Sequence, residues 1–257
     1  MKITTDGSPQ GLTAYFTTPY KVDGPGGEKD WRGEPTFPRE TLNEMVKRDY
    51  ALDLPLIIHA NGDAAIDMVI AAHELVAKGG RADADRRTTV IHSQFVRQDQ
   101  LDAYVRNKFI PSFYTEHTFF FSGAHVRQRG AEQTAFISPM KAAIDRGLRP
   151  TNHTDFNVVP IDHLFVIWSA VTRKDRAGNV IGPDQRISAT EALKAVTINA
   201  AYQYFEEDAK GSIEVGKLAD FAILSANPVT VTPDAIRDIQ VLETIKEGRT
   251  IYRRASR

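Results

Sequence analysis

Apolar and polar positions along the chain follow two rhythms. Leu54-Pro55-Leu56-Ile57-Ile58 is a short, nearly unbroken apolar run rich in β-branched residues, and it ends in His59. That is the pattern of a strand buried on both faces. A turn through Asn61-Gly62 follows. Helical spacing then runs from Ala64 to Lys78, with Ile66, Val69, Ile70 and His73, and Gly79-Gly80 as its stop. Asp63 stands where an N-cap is expected. The same order returns in Thr88-Thr89-Val90-Ile91-His92-Ser93-Gln94, and again from Leu148 through Thr151-Asn152-His153-Thr154 to Asp155. Three strands are therefore predicted to end in His59, His92 and Asp155.

The remaining elements fit around these. Lys2 to Thr5 reads as a strand closed by the turn signal Asp6-Gly7-Ser8-Pro9. Thr18 to Pro38 is polar and laden with Gly and Pro, with Trp31 as its aromatic anchor. It reads as a long loop, either a lid over a site or a surface excursion. Helices are predicted over Pro38–Asp53, with Leu42, Met45 and Val46 on one side, and over Arg97–Asn107, with a strand at Phe109–Tyr114. Thr115 to Gln133 reads as an aromatic loop carrying His117, Phe119, Phe120, Phe121 and His125. Ser138 is expected to cap a short helix to Arg146, with Pro139 at its first position, and an apolar helix is expected from Ile161 to Thr172. Ser188-Ala189-Thr190-Glu191 has capping-box spacing and opens a helix to about Phe205. Beyond Gly211 the pattern becomes β-like, with a hairpin around Glu247-Gly248-Arg249. Repeated strand–helix alternation predicts an α/β fold with a parallel sheet. The expected division is an α/β body over 1–208 and a β segment over 209–257.

Composition narrows the classes. The chain has 257 residues, 42% of them hydrophobic, enough for a sizeable core. A net charge of −1 gives no global electrostatic reason to expect nucleic acid or an anionic membrane as partner. Cysteine is absent, which removes disulfides, thiolate zinc sites and a cysteine nucleophile. No apolar run is long enough to span a bilayer, and the first residues lack the apolar core of a signal peptide, so the expectation is a soluble, cytoplasmic protein.

Two histidines and an aspartate at equivalent strand ends are candidate metal ligands, and three ligands with an open position are the minimum of a catalytic zinc site. The alternatives are hydrogen-bonded core histidines for His59 and His92, and a turn-capping role for Asp155. His153 precedes Asp155 by two residues, so strand alternation sends both to one face, towards metal or substrate or in support of a ligand. His117 either contacts substrate or packs within its loop. His73, His125 and His163 read as structural.

The motifs Lys2-Ile3-Thr4-Thr5-Asp6-Gly7, His59-Ala60-Asn61-Gly62-Asp63, Ile91-His92-Ser93-Gln94 and Asn152-His153-Thr154-Asp155-Phe156 occur in this order. With Ser138-Pro139, Thr197-Ile198-Asn199-Ala200-Ala201 and the stretch Gly211 to Asp220, they resemble the C-terminal portion of a metal-dependent hydrolase of the amidohydrolase superfamily. The similar branch is the one that includes N-substituted formamide deformylase. The resemblance implies a partial (β/α)8 barrel, strands four to eight, with a small flanking β-sandwich segment. It also implies one or two divalent metal ions, zinc foremost, and hydrolysis of an amide or other C–N bond of a small-molecule substrate. Lys2 would be the strand-four lysine, often carbamylated in that family. His59 and His92 would be the ligands of strands five and six, and Asp155 the strand-eight ligand and catalytic proton acceptor. His117 and His153 would face substrate. The family's strand-one His-x-His is not among the seven histidines here. The expectation that follows is a chain starting at barrel strand four. A half barrel exposes two sheet edges and an apolar face. The alternative is thus a non-catalytic or assembly-dependent fragment that pairs with itself or with a separate N-terminal half. A third reading is a metal- or ligand-binding protein without turnover.

Overall fold

The structure is a computed structural model, and it describes residues 1–77 and 85–255. The expected helix stop at Gly79-Gly80 lies outside the described residues. Five strands form one parallel sheet in sequential order: β1 (Lys2–Thr4), β2 (Ile57–Ala60), β3 (Thr89–His92), β4 (Ile110–Phe113) and β5 (Thr151–Asn152). The register places Lys2 against Ile57, Thr4 against His59 and His59 against Ile91. Alternation therefore puts these residues on one face, where Lys2 and Thr4 are exposed and Ile57, His59 and Ile91 half-buried. Ile3, Ile58, Ala60 and Val90 point the other way into the core. There they join Leu42 and Val46 of helix α1 (Arg39–Ala51) and Ile66 and Val69 of α2 (Asp63–Ala77).

Helix α3 (Gln98–Arg106) follows β3 as expected. Residues 117–135, expected as a loop, form two helices, α4 (His117–Arg129) and α5 (Ala131–Ala135). The buried stripe of α4 is Thr118, Ser122, His125 and Arg129, at helical spacing but polar, while Phe119, Phe120 and Phe121 lie off it and only half-buried. A helix that buries polar residues has no apolar stripe to betray it. Ser138 does not cap α6 (Met140–Asp145): it adopts φ 45° and turns its hydroxyl to the Tyr114 carbonyl at 3.3 Å. Strand β5 is shorter than expected. Pro150 before it has no N–H to give the ladder, and Asp155 lies three residues past its end with φ 54°.

Helix α7 (His163–Thr172) is capped by Asp162, whose carboxylate accepts from the Leu164 and Phe165 amides. Ser188 caps α8 (Ala189–Ala195) as its spacing predicts, accepting from Glu191 N at 3.1 Å. The helix does not continue to Phe205. It breaks at Thr197, whose hydroxyl turns back to the Leu193 carbonyl at 2.7 Å, and resumes as α9 (Ile198–Gln203). The tail forms an antiparallel sheet of β6 (Phe221–Leu224), β7 (Val241–Lys246) and β8 (Arg249–Arg253). The expected hairpin turns on Glu247 and Gly248, with φ 49° and 77°, the positive pair that a two-residue connection requires. No helix among the described residues is long and apolar enough to cross a membrane.

The long segment after β1 folds on its own small core of Ala14, Phe16, Tyr20, Phe95 and Ile137, with Leu12 and Trp31 against it. Trp31 Nε1 donates to the Leu12 carbonyl at 2.6 Å, so the aromatic anchor has a polar tether. From α4, Arg129 donates to the Thr18 and Pro19 carbonyls at 2.9 and 2.8 Å and lies over the Phe16 ring.

His73 is buried between α1 and the sheet, with the Tyr50 hydroxyl 2.6 Å from Nδ1 and the Phe109 ring against it. Burial lowers its pKa from the ordinary 6.5 to about 4. Between those values the unfolded chain binds a proton that the folded chain refuses, so stability rises with pH across pH 4 to 6.5. Replacing His73 by Phe is expected to flatten that acid limb by up to about 3 kcal/mol. Urea midpoints at pH 7 and 4.5 for both proteins check it; an unchanged pH dependence would refute the assignment.

Candidate active site at the strand ends

The C-terminal ends of β2 to β5 converge. His59 is the third residue of β2, on the half-buried face. His92 ends β3 opposite Ala60, which by alternation faces the helices. Its backbone turns left-handed there (φ 69°, with 43° at Ser93), and its ring meets that of His59 at 4.6 Å between centroids. His153 follows β5, its amide still donating to the Phe113 carbonyl at 3.0 Å, and its ring lies 5.1 Å from His92. His117, the first residue of α4, lies 5.8 Å from His92. Tyr114 sits against both, 4.3 Å from His117 and 5.7 Å from His153. Asp155 donates its amide to His153 Nδ1 at 3.0 Å. Five of the predicted site residues are thus gathered: His59, His92, His117, His153 and Asp155. Lys2, exposed at the edge strand, bears on them through its charge, which acts on His92, His153 and Asp155.

The electrostatics of His92, His117 and His153 are those of uncharged rings. Burial, and then the neighbouring histidines, hold His92 and His117 well below the ordinary histidine range. Burial takes His153 to about 4. Burial raises the Asp155 carboxyl, opposed by His59 and Lys2. Several buried ring nitrogens here have no hydrogen-bond partner: His92 Nδ1, His117 Nδ1 and His153 Nε2. Buried polar groups are rarely left so. Among the described residues no three His, Asp or Glu side chains already form a metal cage. The set fits a divalent ion in chemistry, since neutral imidazoles with free nitrogens are zinc ligands, while its geometry is open.

Three residues of the site were not singled out by sequence. Asp6, read as part of a turn, is buried, and its Oδ1 lies 3.4 Å from His59 Nε2. Tyr114 and Glu116 follow β4, and the rule that picked out His59 and His92 at their strand ends would have found them too. Burial, then the charge of Asp162, raises the Glu116 carboxyl to about 8, and burial pushes the Tyr114 hydroxyl up. Asp63, expected to cap α2, is its first residue and reaches outward instead. Its carboxylate accepts from Thr17 N at 2.9 Å and from Arg97 at 3.1 Å. His125 is buried, with Gln94 Nε2 3.2 Å and Gln10 Oε1 3.4 Å from its Nε2.

Imidazoles and carboxyls gathered at the carboxyl edge of a parallel sheet define the class: an α/β protein whose candidate site residues meet at its strand ends. More narrowly, the chain belongs to the amidohydrolase family, whose sequence profile matches residues 1–252. It is 28% identical over 230 residues to N-substituted formamide deformylase of Arthrobacter pascens, covering 89% of this chain and 42% of that one. It is 29% identical to the protein LONG AFTER FAR-RED 3 of Arabidopsis thaliana, covering 98% of this chain and 42% of that one. A crystal structure of an uncharacterized metal-dependent hydrolase from Pyrococcus horikoshii superposes with a TM-score of 0.78 at 26% identity, over 91% of this chain and 46% of the other. The chain spans somewhat under half the length of these relatives.

Gly62, three residues after His59, lies against the Tyr15 backbone. A Cβ there would sit 2.0 Å from the Tyr15 carbonyl oxygen, closer than any real contact. Gly62→Ala is expected to lift the segment after β1 off the site and to cost about 2 kcal/mol or more. Thermal melting together with limited proteolysis checks it; a variant as stable and as resistant as the parent would refute the close approach.

Proposed function

We propose that this chain carries the metal- and substrate-binding strand ends of a metal-dependent hydrolase that cleaves an amide or other C–N bond in a small molecule. The observation that carries the reading is the set of partnerless buried nitrogens on His92, His117 and His153, beside His59 and Asp155, in an amidohydrolase-family chain. His59, His92 and Asp155, with Lys2, would hold the ion, most simply zinc. A bound divalent metal would supply Lewis acidity, lowering the pKa of water towards neutrality and polarising the carbonyl under attack. Asp155 would accept the proton and return it to the leaving amine. His117 and His153 would face substrate, with the hydroxyl of Tyr114 and the carboxyl of Glu116 as further partners for the amide.

The sequential parallel order β1 to β5 supports reading the sheet as an arc of a (β/α)8 barrel, strands four to eight. Residues 1–208 would be that arc, and 209–257 the edge of a flanking sandwich. The lack of cysteine agrees with a cytoplasmic setting. A second reading rests on a specific observation: the described residues form no closed metal cage, and β1 and β5 are sheet edges. In that reading the site is completed by self-association or by a separate N-terminal half.

The two readings part on metal content. Elemental analysis of the purified, unchelated chain is expected to find near-stoichiometric zinc or a similar ion, lost in both His59→Ala and Asp155→Ala. Retention in both variants would remove these ligands from the proposal. No metal in the parent, even after adding zinc, would refute the self-sufficient site and favour completion by a partner.

A further inference from the structure

Asp6 is the best-connected acidic residue at the strand ends. Its side chain is wholly buried, and both oxygens are engaged by main-chain amides. Oδ1 accepts from Asn61 N at 2.9 Å, and Oδ2 from Gly62 N at 2.8 Å and Tyr15 N at 3.0 Å. The carboxylate is therefore held in place by the backbone around it and cannot swing to suit a ligand. Against this fixed group lies His59, its Nε2 3.4 Å from Asp6 Oδ1 and 3.4 Å from the Gly7 carbonyl oxygen. The third neighbour of Nε2 is Asn61 Nδ2 at 3.1 Å; one of its two N–H groups donates to Gly7 O at 2.9 Å, and the other is the single donor that faces the ring nitrogen. His59 Nδ1 has no hydrogen bond to a described residue, and the His59 side chain keeps 16% of its surface exposed.

A neutral imidazole has one protonated nitrogen and one lone pair, and the group facing one nitrogen decides which is which. Two acceptor oxygens and one amide N–H face Nε2, and the buried negative charge of the Asp6 carboxylate weights that balance towards a proton there. A lone pair at Nε2 would point at both oxygens. We propose that Asp6 is the positioning residue of His59: it fixes the ring and keeps the proton on Nε2, leaving Nδ1 as the free nitrogen of the site. Carboxylates behind a ligating imidazole act in this way in metal sites. The identity of what Nδ1 meets rests on the proposed function; the tautomer does not.

A merely structural Asp6, which tied the turn to Tyr15 and nothing more, would leave the tautomer of His59 unset. Long-range proton–nitrogen NMR of the full chain labelled with 15N-histidine reads it directly at neutral pH without metal. His59 is assigned by the resonances lost in His59→Asn. The expected result is the Nε2–H form as the dominant species, unchanged in Asn61→Ala. In Asp6→Asn the Nδ1–H form should rise several-fold while circular dichroism stays that of the parent. A parent chain with the proton on Nδ1, or with both forms equally populated, would overturn the proposal. So would a tautomer that changes in Asn61→Ala but not in Asp6→Asn. If Asp6→Asn does not fold, the parent and Asn61→Ala spectra still decide. Zinc chloride added to the parent is expected to move the Nδ1 resonance and spare the Nε2–H. An Nε2–H form with no response to zinc supports the role of Asp6 and counts against the metal reading alone.

Discussion

One buried carboxylate joins three parts of this chain that are remote in sequence. Asp6 takes the amides of Tyr15, Asn61 and Gly62, and so locks the exit of β1 to the exit of β2 and to the long segment between them. Hydrogen bonds to a charged acceptor are stronger than those between neutral groups, and a buried charge without them is costly. The small core of Phe16, Tyr20 and Phe95 can pack only where that lock holds its chain. Gly62 is part of the same arrangement, because the Tyr15 carbonyl occupies the space a side chain would need.

Much of the body was legible because its elements are organised by apolar burial. The runs ending at His59 and His92 read as strands, and the stripes of α1 and α2 read as helices, because burying Ile58, Val90, Leu42 and Val69 leaves an unmistakable period. Helix α4 was illegible for the complementary reason: its buried stripe, Thr118, Ser122, His125 and Arg129, is polar, and three phenylalanines beside it mimic an irregular aromatic loop. The break between α8 and α9 falls at Thr197, whose backbone leaves the helical region (φ −127°, ψ −96°), and no periodicity records it. At the site, histidines announced themselves by residue type. Asp6 did not, since Asp-Gly reads first as a turn; Tyr114 and Glu116 stand just past the end of β4, where the strand-end rule would have found them.

The chemistry of the cluster follows from crowding. Several imidazoles brought together in a buried space cannot all be charged, since each disfavours a proton on the next, and burial disfavours all of them. The result is a set of lone pairs on uncharged rings, beside a half-buried carboxyl and within reach of the charge of Lys2. Membership of the amidohydrolase family gives that set a context, and the relatives, more than twice as long, bring further chain to the same fold.

Helix α4 also has a mechanical meaning. Its thirteen residues make a stiff rod of about 20 Å. One end is His117, packed on Tyr114 in the cluster; the other is Arg129, clasping the carbonyls of Thr18 and Pro19. The outer loop and the inner ring are therefore two ends of one lever. A substitution near Thr18 that disturbs the grip of Arg129 acts on the far end of the helix that begins with the imidazole. Variation in the outer loop is in this sense variation in the site.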